Sequence, residues 1–184
     1  MKSFDALCEV VPPPANARTV AWNDPVWIEL FQRMGTRLPE DFVQFHKTYG
    51  RGYFCSRTHP TSAGLAIVGG ITECGFQKWT ASVLTELRLI KERLPKSLPY
   101  PLYCEPGGLL PWARVTNGTV LCWAVRGDLV DNWKVVAVRP TKRQSEVYDM
   151  GFADFLANLC SGKLSPEWAP KGLPGTKGVE FVAS

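Results

Sequence analysis

The stretch that decides the fold lies at residues 107–125 and reads GGLLPWARVTNGTVLCWAV. Near its centre is Asn117-Gly118, a pair that tolerates the positive φ angles of a tight hairpin turn. The run TVLCWAV after this pair is rich in β-branched and aromatic residues, which favour a strand. The stretch therefore predicts an entry into a sheet through GGLLPW, a hairpin turn at the Asn-Gly pair, and a strand that follows directly.

The residues after this turn extend the hairpin into a sheet. The runs WKVVAV at 133–138 and SEVY at 145–148 have the composition of strands and follow polar loops. Trp112, Trp123 and Trp133 recur at nearly equal intervals, which is the spacing expected of successive strands in an antiparallel meander. We therefore expect a meander to form the centre of the fold.

Helical periodicity marks four other segments. Asp24 caps the first helix, Pro25 occupies its first position, and Gly35 ends it. The other three helices are expected at about 39–49, at about 82–94, and from Asp149 or Gly151 to about 161. Two short strands, GYFC at 52–55 and LAIV at 65–68, are expected between the second helix and the third.

This order of elements predicts a single α+β domain, in which a central antiparallel sheet, a meander, is flanked by about four α-helices. Prolines at the start of the chain, in VVPPPANA at 10–17, predict an extended N-terminal segment over residues 1–21. The domain is expected over 22–169. Residues 170–184 are rich in proline and glycine and are expected to form a C-terminal tail that wraps or frays.

The charge and hydropathy of the chain argue against several classes of partner. The net charge of +4 comes from 21 basic and 17 acidic residues, and the basic residues are spread rather than gathered on one element, as nucleic-acid binding would require. No run approaches the roughly 20 apolar residues that span a bilayer. Acidic residues interrupt the apolar start of the chain, so it does not resemble a secretory signal. We expect a reduced, cytoplasmic protein that binds neither nucleic acid nor membrane.

The glycine-rich stretches do not predict a nucleotide site. A phosphate-binding loop needs a Lys-Ser/Thr pair at the start of a helix, whereas Gly107 and Gly108 precede a predicted strand. A dinucleotide-binding fold needs a strand, a turn and a helix around its glycines. The second stretch, GGITECG at 69–75, has neither a lysine nor a convincing helix behind it. No cofactor is predicted.

Cysteine and histidine offer few catalytic or metal-binding combinations. The six cysteines are far apart, and no two have the spacing of a zinc site or a redox dithiol: Cys8, Cys55, Cys74, Cys104, Cys122 and Cys160. Those in apolar surroundings are expected to fill the core. A nucleophilic pair of Cys55 with His46 or His59 stays open, although no motif supports it. No metal site is predicted.

The acidic and aromatic residues also allow a structural and a functional interpretation. Asp128 and Asp131 share a turn, where carboxylates are more often solvated turn formers than an acid–base pair. The seven tryptophans and nine phenylalanines mostly predict a core between the sheet and the helices. The alternative is that Trp133 or Trp168, on loop edges, anchors a protein interface.

Four segments, taken together in order and spacing, resemble the SUKH superfamily. They are LPEDFVQFHKTYGRGYF (38–54), EPGGLLPWARVTNGTVLCW (105–123), DNWKVV (131–136) and GFADFLANLCSGKL (151–164). The resemblance covers residues 22–168. That superfamily contains bacterial immunity proteins of polymorphic toxin systems, together with fungal regulators of glucan synthesis and killer-toxin resistance.

The resemblance implies an α+β fold with a central antiparallel sheet and no catalytic activity. It implies that the protein binds a cognate toxin, often a nuclease or a nucleic-acid deaminase, and neutralises it stoichiometrically in the producing cell. The alternative is a regulatory adaptor like the fungal relatives. The marked positions of the family are expected to serve the scaffold: Leu38, Pro39, Tyr49, Gly50, Gly52, Pro111, Trp112, Asn117, Gly118, Trp123 and Trp133.

Two departures from the family pattern bear on the partner. Many related sequences carry glycine and aspartate where this chain has Ala113 and Thr119, and the lost acid weakens the idea of a fixed acidic ligand in the turn. Inhibitors of basic nucleases usually present an acidic face. The net positive charge therefore predicts either that acidic residues cluster locally, for instance Glu105, Asp128 and Asp131 on one rim, or that the toxin is not basic.

Specificity for the toxin is expected in three loops, at 56–64, 69–80 and 126–132. The residues predicted to contact the partner are Glu105, Arg126, Asp128, Asp131 and Trp133.

Overall fold

Helices and a single antiparallel sheet make up the fold, as described by a computed structural model for residues 2–17, 19, 21, 24–57, 59–67, 75–127, 129–170, 173 and 178–183. The α-helices of these residues are α1 (Lys2–Val10), α2 (Pro25–Met34), α3 (Glu40–Thr48), α4 (Gly75–Arg93) and α5 (Phe152–Ser161). The strands are β1 (Gly52–Ser56), β2 (His59–Ile67), β3 (Leu109–Val115), β4 (Val120–Ala124), β5 (Lys134–Arg139), β6 (Gln144–Tyr148) and β7 (Val179–Ala183).

The strands form one sheet in the order β6-β5-β4-β3-β2-β1-β7, and every neighbouring pair is antiparallel. Strands β1 to β6 thus follow one another as a meander. Its central hairpin turns at Gly118, which has a φ of +86°, and the Thr119 carbonyl accepts a hydrogen bond from the Val115 N–H at 2.8 Å. The predicted α+β fold and the predicted hairpin are confirmed.

The predicted limits of α2 and α5 are confirmed by their caps. The Asp24 carboxylate accepts a hydrogen bond from the Val26 N–H at 3.0 Å, and Pro25 is the first residue of α2. Gly35 and Gly162 follow α2 and α5 in the left-handed conformation, with φ of +68° and +80°. That conformation favours glycine, which has no Cβ.

The extended conformation predicted for residues 1–21 is wrong over Lys2–Val10, which form α1. The prolines that motivated it begin at position 12, and a proline restricts only its own residue and the one before it. Phe4, Leu7 and Val11 lie on one buried side of this segment, at the spacing of a helical stripe. Packing of this stripe, chiefly against α5, stabilises the helix.

Strand β7 shows that the C-terminal region contributes to the sheet. It pairs with β1 from Gly52↔Ala183 to Ser56↔Val179. A Cβ on Gly52 would lie 2.1 Å from the Val182 carbonyl oxygen, so the close approach of β7 requires glycine there. The domain boundaries at 22 and 169 stay a prediction, but α1 and β7 both pack against elements inside them.

Helix α4 begins at Gly75 and not at the predicted Ser82, so the expectation that no helix follows GGITECG is wrong. Phe76 and Thr80 are buried, and they extend the buried side of the helix by two turns from Val83 towards the N-terminus. The Thr80 hydroxyl donates a hydrogen bond to the Pro111 carbonyl of β3 at 3.4 Å. Residues 69–74 lie outside the described part of the chain.

Aromatic rings fill the space between the sheet and the helices. Trp112 lies 4.9 Å, centroid to centroid, from Phe152 of α5, and Trp123 lies 4.9 Å from Phe42 of α3, both in edge-to-face geometry. Trp133 and Trp168 are also interior, at 2% and 0% exposure. The structure therefore favours the core interpretation for these two tryptophans over the interface alternative. Across the residues described, no helix has both the length and the apolar character needed to cross a membrane.

Candidate functional site

The candidate nucleophilic pair of Cys55 and His46 is not formed. The His46 ring packs against Phe42 and Phe45, at 4.6 and 5.5 Å between centroids, and burial lowers its pKa to about 3. The Cys55 thiol instead faces Glu180, with 3.9 Å between Sγ and Oε1. Burial first, and then the Glu180 carboxylate, raise the pKa of Cys55. A thiol of raised pKa carries little of the nucleophilic thiolate.

Of the remaining cysteines and histidine, all but the exposed Cys104 and the partly buried Cys8 lie in the core or outside the described residues. Cys122 and Cys160 are interior, and burial raises the pKa of both. The side chain of His59 lies outside the described part of the chain, as does Cys74. Among the residues that are described, no group of three or more His, Cys, Asp or Glu side chains is placed to hold a metal ion.

Charged side chains gather instead at one end of the sheet. The first residue of β3, the last residue of β4 and the first residue of β5 all lie at this end, as the pairs Leu109↔Ala124 and Ala124↔Lys134 show. Asp131 lies in a short 3₁₀ turn (Val130–Asn132) just before β5. The loops that connect these strands therefore meet around Asp131.

Two aspartates hold the starts of α3 and α5 at this end. The Asp131 Oδ1 accepts a hydrogen bond from the Glu40 N–H of α3 at 2.7 Å. The Asp41 Oδ2 accepts one from the Ala153 N–H of α5 at 2.8 Å. The first N–H groups of a helix have no partner within the helix, and its N-terminal end favours negative charge. The sequence thus supplies both caps from distant parts of the chain.

Three shallow depressions share Asp131, and we call them together the Asp131 surface. The first, of about 240 Å³, is lined by Phe31, Arg37, Leu38, Glu40, Val43, Val130 and Asp131. The second, of about 340 Å³, is lined by residues 131–134 and 149–151. The third, of about 380 Å³, is lined by Phe4, Glu40, Asp41, Gln44, Asp131, Gly151 and Asp154.

The Asp131 surface is acidic, although the chain as a whole has a net charge of +4. Its cations are Arg37 and Lys134, and Lys134 forms an ion pair of 2.8 Å with Asp149. Its carboxylates are Glu40, Asp41, Asp131, Asp149 and Asp154. The surface therefore has the opposite sign to the rest of the molecule and suits a cationic partner.

The carboxylates of the Asp131 surface repel one another, and this repulsion affects the pKa of Asp41. Burial raises the pKa of its carboxyl group, and the charges of Asp131 and Asp154 raise that pKa further, while hydrogen bonds from the Ala153 and Phe42 N–H groups act in the opposite direction. A cation brought to this surface would relieve the repulsion.

The residues predicted to contact a partner have different positions. Asp131 is exposed and central to the surface. Arg126 is exposed in the loop after β4, and Glu105 is exposed in the loop before β3, where it accepts a hydrogen bond from the Leu102 N–H at 3.5 Å. Asp128 lies outside the described residues. Trp133 is only 2% exposed and lies 6.2 Å from Trp123, so its side chain is not presented to a partner.

Sequence reasoning missed four carboxylates of the surface: Glu40, Asp41, Asp149 and Asp154. Asp149 was considered only as a helix start. The local acidic cluster that was expected on a rim with Glu105 and Asp128 is centred on Asp131 and is supplied mainly by the starts of α3 and α5. Acidic residues in the first turns of two helices were the available signal.

The marked positions of the resembling family lie in the scaffold. The Tyr49 hydroxyl donates to the Val11 carbonyl at 2.6 Å. The Asn117 side chain bridges the Thr119 N–H, at 3.1 Å, and the Trp168 carbonyl, at 2.6 Å. The others start or end α3, turn the chain, allow β7 to approach β1 or fill the core: Leu38, Pro39, Gly50, Gly52, Pro111, Trp112, Gly118, Trp123 and Trp133.

The described residues thus form an α+β domain with a charged, grooved surface over a tightly packed aromatic interior. Comparison with family models identifies the domain: the chain belongs to the SUKH_6 family, described as SMI1-KNR4 cell-wall, whose model matches residues 27–156. The match covers more than half of the chain and confirms the resemblance to the SUKH superfamily. Members are generally non-enzymatic immunity or regulatory proteins. No curated protein and no solved structure matches the chain.

Proposed function

We propose that the protein is a cytoplasmic immunity protein, which binds and neutralises a cognate bacterial toxin by stoichiometric protein–protein interaction. The toxin is a nuclease or nucleic-acid deaminase effector of a polymorphic toxin system. The observation that carries this proposal is the acidic Asp131 surface on a chain of net positive charge. Family membership supports a protein-interaction function of this kind.

The physical argument starts from the charge of the target. An enzyme that acts on nucleic acid binds the phosphate backbone with Lys and Arg side chains, and its substrate cleft is therefore positive. A negative surface on the inhibitor steers the encounter towards that cleft and disfavours wrong partners. Binding there blocks access of the nucleic acid, so that inhibition needs no chemical step.

The way the carboxylates are held favours tight binding. Asp131 and Asp41 are fixed by hydrogen bonds to the starts of α3 and α5, so less side-chain freedom is lost when a partner binds. The same charges repel phosphate groups. The surface is therefore suited to the basic enzyme and not to its nucleic-acid substrate.

The proposal is tested by co-expression with the product of the adjacent gene. We expect the two proteins to co-purify in a one-to-one complex and the toxicity of the neighbour to be suppressed. Reversing two exposed or half-exposed charges of the surface, Glu40→Lys with Asp154→Lys, should weaken the complex strongly. The control is Glu86→Lys with Glu92→Lys on α4, which has the same charge change and should leave binding intact. Because Glu86 pairs with Arg114 at 2.6 Å, near-UV circular dichroism must show that the fold of this control is retained. A neighbouring protein that is not toxic, or is neither bound nor inhibited, would contradict the proposal.

The second candidate is a regulatory adaptor, and the description SMI1-KNR4 cell-wall favours it. An adaptor would bind its partner without suppressing a toxic activity. The co-expression experiment separates the two functions, because only an immunity protein restores growth of cells that produce the toxin.

A further inference from the structure

Beside Asp131 lies the apolar groove of the first depression, lined by Phe31, Leu38, Val43 and Val130. Leu38 and Val43 are 3% and 1% exposed and form its floor, while Phe31 and Val130 are partly exposed walls. Glu40 and Asp131 lie on its rim, opposite in charge to Arg37. The groove thus combines an apolar floor with a charged edge.

Two exposed apolar side chains are close in the chain to residues that line this groove. Leu129, directly before Val130, is 70% exposed, and Ile28, one turn before Phe31 on α2, is 62% exposed. They are the two most exposed of the large hydrophobic side chains in the described part of the chain. Exposed apolar residues that are rimmed by polar groups mark protein-binding sites.

The size of the groove indicates what it accepts. Its volume of about 240 Å³ lies below the range of roughly 300–1,000 Å³ that is typical of small-molecule sites. One apolar side chain of another protein fits it better than a free ligand does. Interfaces are commonly dominated by such a buried side chain, surrounded by contacts that exclude water.

The charge of the rim indicates what flanks that side chain. One oxygen of Asp131 accepts the Glu40 N–H, and a carboxylate can accept further hydrogen bonds through its other oxygen. Asp41 and Asp154 continue the negative charge away from the groove. Lys or Arg next to the inserted side chain would meet these carboxylates, whereas Asp or Glu would be repelled.

We propose that this groove is an anchor site for a basic segment of the bound protein: it takes one aliphatic or aromatic side chain, and Glu40 and Asp131 pair with Lys or Arg on either side of it. This inference rests on the proposed function, because it describes how the toxin would be held. It adds the local chemistry of the partner, which the overall charge of the surface does not specify.

Synthetic peptides test the chemistry of the groove without the toxin. The probes are the amidated peptide Lys-Lys-Leu-Lys-Lys, a version with Leu replaced by Ser, and a version with every Lys replaced by Glu. Titrations followed by amide NMR shifts should show the first peptide perturbing the amides of residues 28–31 and 129–131. Both changed peptides should bind at least about tenfold more weakly, which corresponds to 1.4 kcal/mol. Equal shifts with all three peptides, or shifts confined to other surfaces, would overturn the proposal.

Variants test the groove in the complex. Leu129→Ser and Ile28→Ser change exposed side chains and should leave the fold intact, which near-UV circular dichroism checks. We expect each to weaken binding of the neighbouring toxin about tenfold or more. Leu89→Ser on α4, at 49% exposure, is the matched control and should bind as the wild type does.

The outcomes separate the two proposals. If the toxin is bound and neutralised but Leu129→Ser behaves like Leu89→Ser, the groove is not the anchor and the immunity function stands. If the first peptide binds the groove but the neighbouring protein is not inhibited, the groove chemistry stands and the immunity function fails.

Discussion

Asp41, in the first turn of α3, caps α5 through a hydrogen bond of 2.8 Å from the Ala153 N–H. Asp131 caps α3 in turn through the Glu40 N–H. A chain of two carboxylates therefore connects the loop before β5 with α3, and α3 with α5. The charges that make the Asp131 surface acidic also hold the helices in place, so experiments on binding must separate the two effects.

Substitution of Asp41 separates its charge from its cap. Asp41→Ala removes the acceptor and should lower the free energy of unfolding by about 1 kcal/mol. Asp41→Asn keeps an acceptor oxygen but has no charge. Because the pKa of Asp41 is raised in the folded state, the ionised carboxyl is less favourable there than in the unfolded chain. This cost shrinks as the pH falls below the folded pKa and is gone only below the lower pKa of the unfolded chain.

We therefore expect the free energy of unfolding of Asp41→Asn to be at least as large as that of the wild type at pH 7. The difference between these two free energies should narrow at lower pH. Urea unfolding at several pH values measures this. Equal destabilisation by Asn and Ala would show that the cap contributes nothing.

His46 should make the protein sensitive to mild acid. Its pKa is lowered to about 3 by burial, against about 6.5 in the unfolded chain. Stability is complete above pH 6.5 and falls at lower pH, because the unfolded chain binds a proton that the folded protein does not. Between pH 6.5 and 5.0 the loss should be about 1.6 kcal/mol.

The control for His46 is His46→Leu, which cannot titrate. Urea unfolding of this variant should show a much smaller loss over the same pH interval, whatever its stability at pH 7. The same slope in both proteins would assign the acid sensitivity to other groups.

Gly52→Ala should loosen β7. The added Cβ would lie 2.1 Å from the Val182 carbonyl oxygen and 2.6 Å from the Phe181 ring, so the two strands must separate locally, at a cost of about 1–3 kcal/mol. Hydrogen exchange should accelerate at the amides of residues 179–183 and leave β4 and β5 protected. Gly64→Ala on β2, with a nearest contact of 3.0 Å, is the milder comparison. Unchanged protection of β7 in Gly52→Ala would contradict the close approach.

Tyr49→Phe should release α1. The Tyr49 hydroxyl is buried and donates to the Val11 carbonyl at 2.6 Å, and its loss leaves a buried carbonyl without its donor, at about 1–3 kcal/mol. Exchange should become faster at the amides of residues 4–11. Tyr53→Phe, on a half-buried ring of β1, removes a hydroxyl that does not make this contact. It should change neither the free energy of unfolding nor the exchange of the amides of residues 4–11. Equal effects of the two substitutions would show that the hydrogen bond from Tyr49 to Val11 does not hold α1 in place.

The sequence predicted the elements whose signals are local. Asn117-Gly118, Asp24 with Pro25, and Gly35 each determine the backbone of a few residues, and the hairpin and α2 were correctly predicted from them. The order of these elements then gave the α+β class. Helix α1 was missed because three prolines nearby were given more weight than its apolar stripe, and β7 was missed because its partner β1 is distant in sequence.

The candidate surface was predicted only at its centre, Asp131. Its other carboxylates come from α3, α5 and the residue after β6, and only the folded chain brings them together. Trp133 shows the opposite error: its place after a polar loop suggested an exposed anchor, but it directly precedes β5, and its buried ring lies 6.2 Å from that of Trp123 on β4. Exposure depends on packing across the sheet, which one-dimensional patterns do not contain.

Tyr49 packs against α1 and β7, which both lie outside the residues 27–156 that the family model matches. Its ring lies 6.2 Å from Phe4 of α1 and 5.3 Å from Phe181 of β7, measured between centroids. A recombinant fragment trimmed to the matched residues would uncover Phe45, Tyr49 and Phe54 together and leave β1 as a bare sheet edge. Such a fragment would be expected to aggregate on expression, so a fragment made for crystallisation should keep both α1 and β7.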